Sequence, residues 1–483
     1  MFQRTVGLVV AGVVTVGAML LWIAVSRDTP TSSHALGEGI FGMWSFLYSL
    51  DVPTPRVIVA AIALAIFFAA GINFLEWRVT NRSRRSSNAF KTPLAPKLVM
   101  AQTRHVYAGP MSFTVLIPAH NEEASLPATL TSLLSQSHRP ERVIVVADNC
   151  TDRTASIARN FGLEVYETQE NTQKKAGALN QVLSIILPDQ GDNDIIMVLD
   201  ADTTLDAGFL KSGVVRFESD RALMAIGGLF YGEPGSGLLG QMQRNEYVRY
   251  SSQLNRRRGK VFVLTGTASM FRSRALREVA RNRGGLVPGT VGDVYDTQAL
   301  TEDNELTIAL KTLGALITSP AACTVVTEVM PTLRTLWVQR LRWQRGALEN
   351  IGAYGITPPT LRYWAQQLGI GYSVIALTSF LSLILITILA LEAWIWFPFW
   401  LGLGIIFTIE RVVSAWKGGW PARLLAATVI PELLFDMFLN LVYIKGIIDI
   451  TRGRQGSWGP GGDTKPDVTD GELPGHVLKL GAR

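Results

Sequence analysis

Apolar residues follow two kinds of pattern along this chain. Long apolar runs occupy both ends, at residues 6–25, 57–75, 368–391, 393–409 and 424–444. The first run is uncharged and has about 20 residues, the length that spans a bilayer. Between residues 97 and 358 no comparable run occurs, and short apolar stretches alternate with amphipathic ones. We therefore predict a globular domain flanked on both sides by transmembrane helices.

Two of these runs have a second interpretation. Ala24-Val25-Ser26 resembles a signal-peptide cleavage site, so the first run is either a membrane span or a removed leader. The run 424–444 is broken by Pro431 and carries Glu432 and Asp436. It is either a span whose charges face a protein interior, water or a partner subunit, or an interfacial helix with a polar face.

Basic residues follow the second apolar run and predict the topology. By the positive-inside rule such a cluster places the domain that follows it in the cytosol and the loop 26–56 outside. The cluster consists of Arg78, Arg82, Arg84, Arg85 and Lys91.

The central part of the chain alternates between strand and helix patterns. The patterns predict strands at 113–117, 142–146, 164–166 and 195–199, and helices at 123–134, 151–161 and 176–186. This alternation is typical of a parallel, doubly wound α/β sheet, in which ligands bind beyond the carboxyl ends of the strands. Polar residues lie at those ends, in the segments 118–122 and 200–202 and at Asp148.

Composition narrows the kind of protein. Hydrophobic residues make up 48% of the 483 residues, which is too many for an ordinary soluble enzyme. The net charge of +6 suits a neighbour of anionic lipid or nucleotide phosphates, and no nucleic-acid partner is expected. Cys150 and Cys323 cannot form a disulfide framework, and the five histidines lack zinc-ligand spacing. The sequence leaves a homo-oligomer open.

A metal site is predicted at Asp200 and Asp202, directly after an apolar strand. Side chains two residues apart in an extended segment point the same way, so the two carboxylates would suit Mg²⁺ or Mn²⁺. Such an ion neutralises the leaving phosphates of a diphosphate donor. The alternative is a solvated Asp-x-Asp turn.

A second acidic cluster, Glu302 and Asp303, begins a helical segment at 304–313. One carboxylate of this pair could deprotonate an acceptor hydroxyl. The alternative is a capping role at the helix N-terminus.

The segment 339–343, Gln-Arg-Leu-Arg-Trp, is the third candidate. Arginine can pair with a diphosphate in forked geometry, and Trp343 offers a flat face to a sugar ring. The alternative is an amphipathic helix at 333–348 on the membrane surface. We expect both to hold, with Leu336, Trp337 and Leu341 toward the acyl boundary and the arginines that do not face the nucleotide toward lipid headgroups.

These motifs, taken in order, resemble those of the family-2 glycosyltransferases. The resemblance is strongest to the membrane-integrated group of hyaluronan, cellulose, chitin and poly-N-acetylglucosamine synthases. It rests on the segments 118–123, 148–152, 175–180, 200–202, 265–272, 301–303 and 339–343. The resemblance implies a GT-A (Rossmann-like) fold, an inverting mechanism and a cytosolic UDP-sugar site.

The resemblance also implies a role for each matched residue. Nucleotide-binding residues would be Pro118, Glu122, Asp148, Lys175 and Asp200, with Lys175 near the base or the phosphates. Asp202 would bind the divalent cation, and Asp303, beside Glu302, would be the general base. Gln339 and Arg342 would hold the diphosphate, and Trp343 would line the acceptor site.

The predicted organisation has five parts: membrane region 1–90 with two spans, GT-A domain 91–330, interface region 331–366, membrane region 367–450 and flexible tail 451–483. We expect a multi-pass plasma-membrane enzyme with a cytosolic catalytic domain. It would extend a polysaccharide or transfer one sugar to a lipid. A third hypothesis, an inactive membrane scaffold, conflicts with the presence of Asp202, Asp303 and the 339–343 segment.

Overall fold

The structure is a computed structural model that describes residues 35–38, 45–47, 55–104, 111–256, 259, 261–389, 398–454 and 456. The predicted span at 6–25 lies outside these residues. Within them the strands are β1 Ala35–Glu38, β2 Ser45–Leu47, β3 Phe113–Ala119, β4 Arg142–Ala147, β5 Glu164–Glu167, β6 Ile195–Leu199, β7 Thr203–Leu205, β8 Leu223–Gly227, β9 Leu229–Gly232, β10 Ala268–Arg272, β11 Leu316–Thr318 and β12 Thr324–Thr327.

The helices of the described residues alternate with these strands and then follow them. They are α1 Pro55–Arg84, α2 Pro96–Gln102, α3 Leu126–Leu134, α4 Thr154–Asn160, α5 Lys174–Ile186, α6 Phe209–Ser219, α7 Gly237–Arg256, α8 Ser273–Asn282, α9 Glu302–Thr312, α10 Leu333–Tyr354, α11 Leu361–Leu389, α12 Pro398–Ser414, α13 Gly419–Thr428 and α14 Ile430–Thr451. The predicted strands and the helices of the central domain are confirmed, with ends shifted by a few residues.

A seven-stranded sheet in the order β11-β8-β10-β6-β3-β4-β5 forms the centre of the domain. Strand β3 is buried along its whole length, and its side chains alternate between two apolar clusters. Leu116 packs on the face covered by α5, α8 and α9, whereas Val115 and Ile117 pack on the face covered by α3 and α6. The predicted α/β architecture with helices on both faces is confirmed.

The prediction of a wholly parallel sheet is wrong at one strand. Strand β10 runs antiparallel to both of its neighbours, β6 and β8. All five residues of β10 are buried, so no alternation of buried and exposed positions marks the direction of the strand. Because Ala268 pairs with Leu199, the last residue of β6, the segment before β10 lies at the carboxyl edge beside Asp200.

The helix predicted at 333–348 exists as α10 but does not turn its apolar face outward. Leu336 is fully buried, and the ring of Trp337 lies 5.6 Å from that of Phe438 on α14. Arg340 and Arg345 are also buried. The expected acyl contact for Leu336 is therefore wrong, because α14 covers this side of α10.

The chain bends sharply between α13 and α14, where Val429 has a φ of +55° and Pro431 opens α14. Glu432 is 1% exposed and accepts hydrogen bonds from Asn245 (2.7 Å) and Arg249 (2.7 Å) of α7. Glu432 therefore faces a protein interior, and the choice between a span and an interfacial helix stays a prediction.

A helix that spans a bilayer must be both long enough and apolar enough. Within the described ranges, no individual helix meets both criteria. The segments Trp416–Thr428 and Ile430–Thr451, which lie at 85° to each other, meet them as a bent pair. The predicted spans at 57–75, 368–391 and 393–409 stay predictions.

Candidate active site

One cavity of about 1030 Å³ opens at the carboxyl edge of the central sheet. All of the site residues predicted from the sequence line it: Pro118, Glu122, Asp148, Lys175, Asp200, Asp202, Glu302, Asp303, Gln339, Arg342 and Trp343. They come from strand ends, from the first turns of α5 and α9, and from α10. The fold thus brings together segments that are more than two hundred residues apart in sequence, from Pro118 to Trp343.

Lys175 forms the electrostatic centre of this cavity. Its ammonium group donates to Asp200 Oδ1 at 2.5 Å and lies 3.3 Å from Glu302 Oε1. Burial alone would lower the pKa of Lys175, but the charges of Asp200 and Glu302 outweigh it and raise that pKa. Burial raises the pKa of Asp200 to about 6, although Lys175 acts in the opposite direction. In this structure Lys175 therefore bridges two acidic motifs.

The Asp200-Ala-Asp202 segment forms a turn, and the predicted extended conformation is wrong. The Thr203 amide donates to the Asp200 carbonyl at 3.2 Å, which closes the turn. Asp200 faces Lys175, while Asp202 Oδ1 accepts from the hydroxyl of Thr203 at 3.1 Å. Burial, and then the charge of Glu122, raise the pKa of Asp202. Both carboxylates line the cavity, unlike those of a solvated surface turn.

Asp303 lies in the first turn of α9, with both oxygens bound to backbone amides. Oδ2 accepts from Gly266 at 3.0 Å and Oδ1 accepts from Asn304 at 2.7 Å. The N-cap residue of α9 is Thr301, and its side chain makes no capping hydrogen bond. Burial, and then the charge of Glu302, raise the pKa of Asp303 to about 6. Such a carboxylate can accept a proton near neutral pH.

Gly266 allows these groups to approach one another. A Cβ atom at this position would lie 3.2 Å from Lys175 Nζ, 3.5 Å from Asp200 Oδ2 and 3.6 Å from Asp303 Oδ2. The contact with the ammonium group would be tighter than most real Cβ contacts. Because Gly266 has no side chain, only its backbone borders the space between the two acidic motifs.

Asp148 lies at the other end of the cavity, after β4. Its Oδ1 accepts from Asn149 (3.1 Å), Thr168 (2.9 Å) and Asn171 (2.8 Å). These three donors hold one carboxylate oxygen and thereby set the direction of the other. Glu122 accepts from the Ser125 hydroxyl at 2.5 Å, next to the turn that ends β3.

Arg340 of α10 has a partner that the sequence pattern did not indicate. Its Nη2 donates to Glu246 at 2.7 Å, and its guanidinium lies 4.1 Å from the centroid of the Trp343 ring. Some arginines of the helix 333–348 were expected to face headgroups, but Arg340 and Arg345 do not, since both are buried and Arg345 donates to Glu349 at 2.6 Å. Stacking on Arg340 holds the indole of Trp343 at the cavity wall.

The cavity extends beyond the predicted residues toward α11. Its further lining residues include Tyr250, Phe262, Tyr363, Gln366, Gln367 and Ile370. Aromatic rings and amides are suited to sugar rings and their hydroxyls. None of these residues stands in one of the matched sequence motifs, so the sequence contained no signal for them.

Asp202 fits the predicted cation only as part of a shared site. Among the described residues, no group of three or more His, Cys, Asp or Glu side chains is arranged to hold a metal. Mg²⁺ usually keeps several waters and is bound by one or two carboxylates together with substrate phosphates. The raised pKa of Asp202, with Glu122 nearby, marks a carboxylate that a cation would stabilise.

The central part of the chain is similar to known proteins. Residues 114–280 match the model of glycosyl transferase family 2. Poly-beta-1,6-N-acetyl-D-glucosamine synthase of Staphylococcus aureus (strain COL) is 28% identical over 243 residues, 49% of this chain and 54% of that protein. The Staphylococcus epidermidis synthase of the same name is 26% identical over 260 residues, 52% and 58% of the two chains. The chain thus spans about half the length of the curated relatives it matches.

Among solved structures, the mannosyltransferase PcManGT from Pyrobaculum calidifontis, in complex with GDP-Man and Mn²⁺, is 18% identical. The alignment has a TM-score of 0.46 and covers 81% of this chain and 97% of that one.

The sheet and the cavity at its carboxyl edge define an α/β domain, and residues 114–280 of that domain are similar to glycosyl transferase family 2. Over about half of its length the chain also resembles the poly-N-acetylglucosamine synthases.

The raised pKa of Asp303 leads to a prediction about pH. If Asp303 accepts a proton during sugar transfer, kcat/KM should fall as the pH drops through about 6, because the protonated carboxyl is no longer a base. Measuring kcat/KM between pH 4.5 and 8 tests this. An acidic limb near pH 4, the range of an ordinary aspartate, would contradict the assignment.

Proposed function

We propose that this chain is an inverting, metal-dependent glycosyltransferase that transfers a sugar from a UDP-sugar to a membrane-associated acceptor or growing polysaccharide. The observation that carries the proposal is the convergence of all the predicted residues on one cavity. N-acetylglucosamine is the first donor sugar to test, because the two staphylococcal relatives are named for its polymer.

In the proposed reaction, Asp303 takes the proton of the acceptor hydroxyl while that oxygen attacks the anomeric carbon of the donor. Asp303 is preferred over Glu302 because Glu302 is 7% exposed and lies beside the Lys175 ammonium. A base paired with a cation in this way is a weaker proton acceptor. Glu302 then serves to orient Lys175.

The donor would lie between Asp148 at the nucleotide end and α10 at the diphosphate end. Gln339 and Arg342 face the cavity from α10 and could bind the departing diphosphate. Asp202 would hold Mg²⁺ or Mn²⁺ together with the donor phosphates, and the ion would neutralise charge on the leaving group. Trp343 would pack against the acceptor sugar.

Polymer synthesis is favoured over single transfer by the extent of the cavity. At about 1030 Å³ it is at the upper end of the range for small-molecule sites, and it continues past Asp303 to α11. This leaves room for acceptor sugars beyond the donor. Single-sugar transfer to a lipid is the alternative, and the product decides between them.

The proposed location is the plasma membrane, with the glycosyltransferase domain in the cytosol. Exposed apolar side chains on α1 and α12 support contact with lipid, including Phe74 (55% exposed), Trp77 (56%), Ile406 (65%) and Ile409 (57%). Such a concentration of large exposed apolar residues marks an interaction surface or a membrane surface. The basic cluster after residue 75 supports the orientation.

The metal and base assignments are separated by a pair of variants. Asp202→Asn should abolish the increase in UDP affinity that Mn²⁺ causes, because a carboxylate ligand is lost. Asp303→Asn should keep that increase but lower transfer by about 100- to 10,000-fold. Calorimetric titration of UDP with and without Mn²⁺ gives the first result. Wild-type metal dependence in Asp202→Asn would rule out the ligand assignment.

Product analysis tests the reaction itself. Purified protein with UDP-[¹⁴C]GlcNAc and Mn²⁺ should form a long labelled polymer, which size-exclusion chromatography resolves from single-sugar lipids. Asp303→Asn is the control and should form none. A single-sugar lipid product would support the alternative function. A product only with another UDP-sugar would correct the donor, and none with any UDP-sugar would refute the proposal.

Cysteine labelling tests the topology, in a background in which Cys150 and Cys323 are replaced by serine. A cysteine at Arg84 should resist an impermeant thiol reagent in intact cells, whereas one at Ser33 should react. A cysteine at Ser457 is expected to resist as well. Ser33 and Ser457 lie outside the described residues. Labelling of the Arg84 position from outside would overturn the cytosolic placement of the domain.

A further inference from the structure

One face of α9 is attached to the segment 261–267 by three polar side chains. The amides of Gly266 and Leu264 donate to Asp303 Oδ2 at 3.0 Å and to the Thr307 hydroxyl at 2.8 Å. Lys311 Nζ in turn donates to the Val261 carbonyl at 2.7 Å. Positions 303, 307 and 311 are four residues apart and therefore share a helix face. The segment 261–267 therefore runs along the face of α9 that carries Asp303, the proposed base.

Lys311 also connects this segment to α11. Its Nζ donates to the hydroxyl of Tyr363 at 2.8 Å, and that hydroxyl donates to the Phe262 carbonyl at 2.6 Å. The rings of Phe262 and Tyr363 pack with centroids 4.4 Å apart. Lys311, Phe262 and Tyr363 thus form one unit joining α9, α11 and the segment, and both rings line the cavity.

The unit continues to α1 through the neighbouring residue of α11. The guanidinium of Arg362 lies 4.9 Å from the Phe262 ring centroid, and Arg362 forms an ion pair with Glu76 at 2.5 Å. Helices α1 and α11 contain two of the predicted spans. The acceptor side of the cavity is therefore linked by direct contacts to both predicted membrane regions.

Lys311 is not a simple helix-terminal charge. A basic residue in the last turn of a helix ordinarily stabilises the helix by facing its own last carbonyls. Lys311 Nζ instead donates to carbonyls of another segment, and among the described residues no carboxylate lies within ion-pair distance of it. Burial, and then the charge of Arg362, lower the pKa of Lys311 to about 7. Holding an ammonium group here is costly, whereas an apolar side chain would pack without that cost.

We propose that Lys311 is a positioning residue for glycosyl transfer. By binding the Val261 carbonyl and the Tyr363 hydroxyl together, it holds the segment 261–267 and the Phe262 and Tyr363 rings in register with Asp303. The acceptor sugar then meets the base in the geometry that transfer requires. The inference rests on the proposed function, in which this part of the cavity receives the acceptor.

The test compares transfer with donor hydrolysis, which needs the donor site but no acceptor sugar. Lys311→Met keeps the length of the side chain and removes its donors. With UDP-[¹⁴C]GlcNAc and a β-1,6-linked N-acetylglucosamine trisaccharide, we expect transfer to fall about 10- to 100-fold, as a small misplacement of reactants typically causes. UDP affinity and the rate of UDP release without the trisaccharide should stay within about twofold of wild type.

Two further variants keep the test decisive if Lys311→Met folds poorly. Tyr363→Phe removes only the hydroxyl that joins Lys311 to Phe262 and should lower the ratio of transfer to hydrolysis in the same way. Thr312→Val is the matched control on α9, where the hydroxyl donates to the Ile308 carbonyl of its own helix at 2.8 Å. It should leave the ratio unchanged.

The outcomes separate the inference from the function on which it rests. A wild-type ratio in both Lys311→Met and Tyr363→Phe would overturn the positioning role. So would an equal fall in transfer, hydrolysis and UDP affinity, which would mean a general loss of structure. Absence of transfer by the wild-type protein with every UDP-sugar would refute the proposed function, and the inference with it.

Discussion

The charge of Lys175 is the interaction on which the arrangement of the site depends. Asp200 ends one strand, and Glu302 and Asp303 begin a helix about a hundred residues later, yet their carboxylates surround the same small space. Carboxylates so close together in a partly buried site would repel one another and take up protons. An ammonium group between them offsets that repulsion, at about 4 kcal/mol for a pair 4 Å apart at an effective dielectric constant of 20. Lys175 therefore lets the two acidic motifs share one cavity.

The helix that carries Asp303 is fixed by contacts a few residues further along. Glu305 is buried and accepts from Arg283 at 2.5 Å and from the Tyr354 hydroxyl at 2.5 Å. Breaking a buried pair of this kind by removing one partner costs about 3–5 kcal/mol. Asn350 of α10 donates to the carbonyl and hydroxyl of Thr301, each at 3.1 Å. Helices α9 and α10 are thus joined at both positions, so the distance between the proposed base and the proposed diphosphate residues is set by buried polar contacts.

The sequence was sufficient to predict what depends on local pattern. Strand ends at 118, 148 and 200 follow from apolar runs that stop at polar residues, and parallel strands bring such ends to one edge. The role of each residue came from the family resemblance, because the pattern alone indicates only a nucleotide-binding α/β domain. The fold places all of these residues around one cavity.

What the sequence could not predict depends on partners that are distant along the chain. Arg340 stands in a helix that was expected to lie beside lipid headgroups, but its partner Glu246 lies on α7, 94 residues earlier. The direction of β10 was equally hidden, since all five of its residues are buried and no exposed position marks one face or one end. The turn at 200–202 forms because Thr203 bonds back to Asp200 while Lys175 draws the Asp200 carboxylate toward α5. In each case a tertiary contact decides between conformations that the local sequence permits equally.

Contacts within the protein, including those with α7, explain the acidic residues of α14 without placing them in lipid. A carboxylate in the hydrocarbon is costly unless it is paired. Glu432 is paired with Arg249 and Asn245, and Arg411 bonds both Glu432 (3.4 Å) and Asp436 (2.5 Å). These charges are therefore compensated by the protein itself. Because α7 also carries Tyr250 at the cavity wall, the ion pair of Arg249 with Glu432 joins α14 to a helix that lines the cavity. The polar residues in this apolar segment thus connect α14 to the central α/β domain.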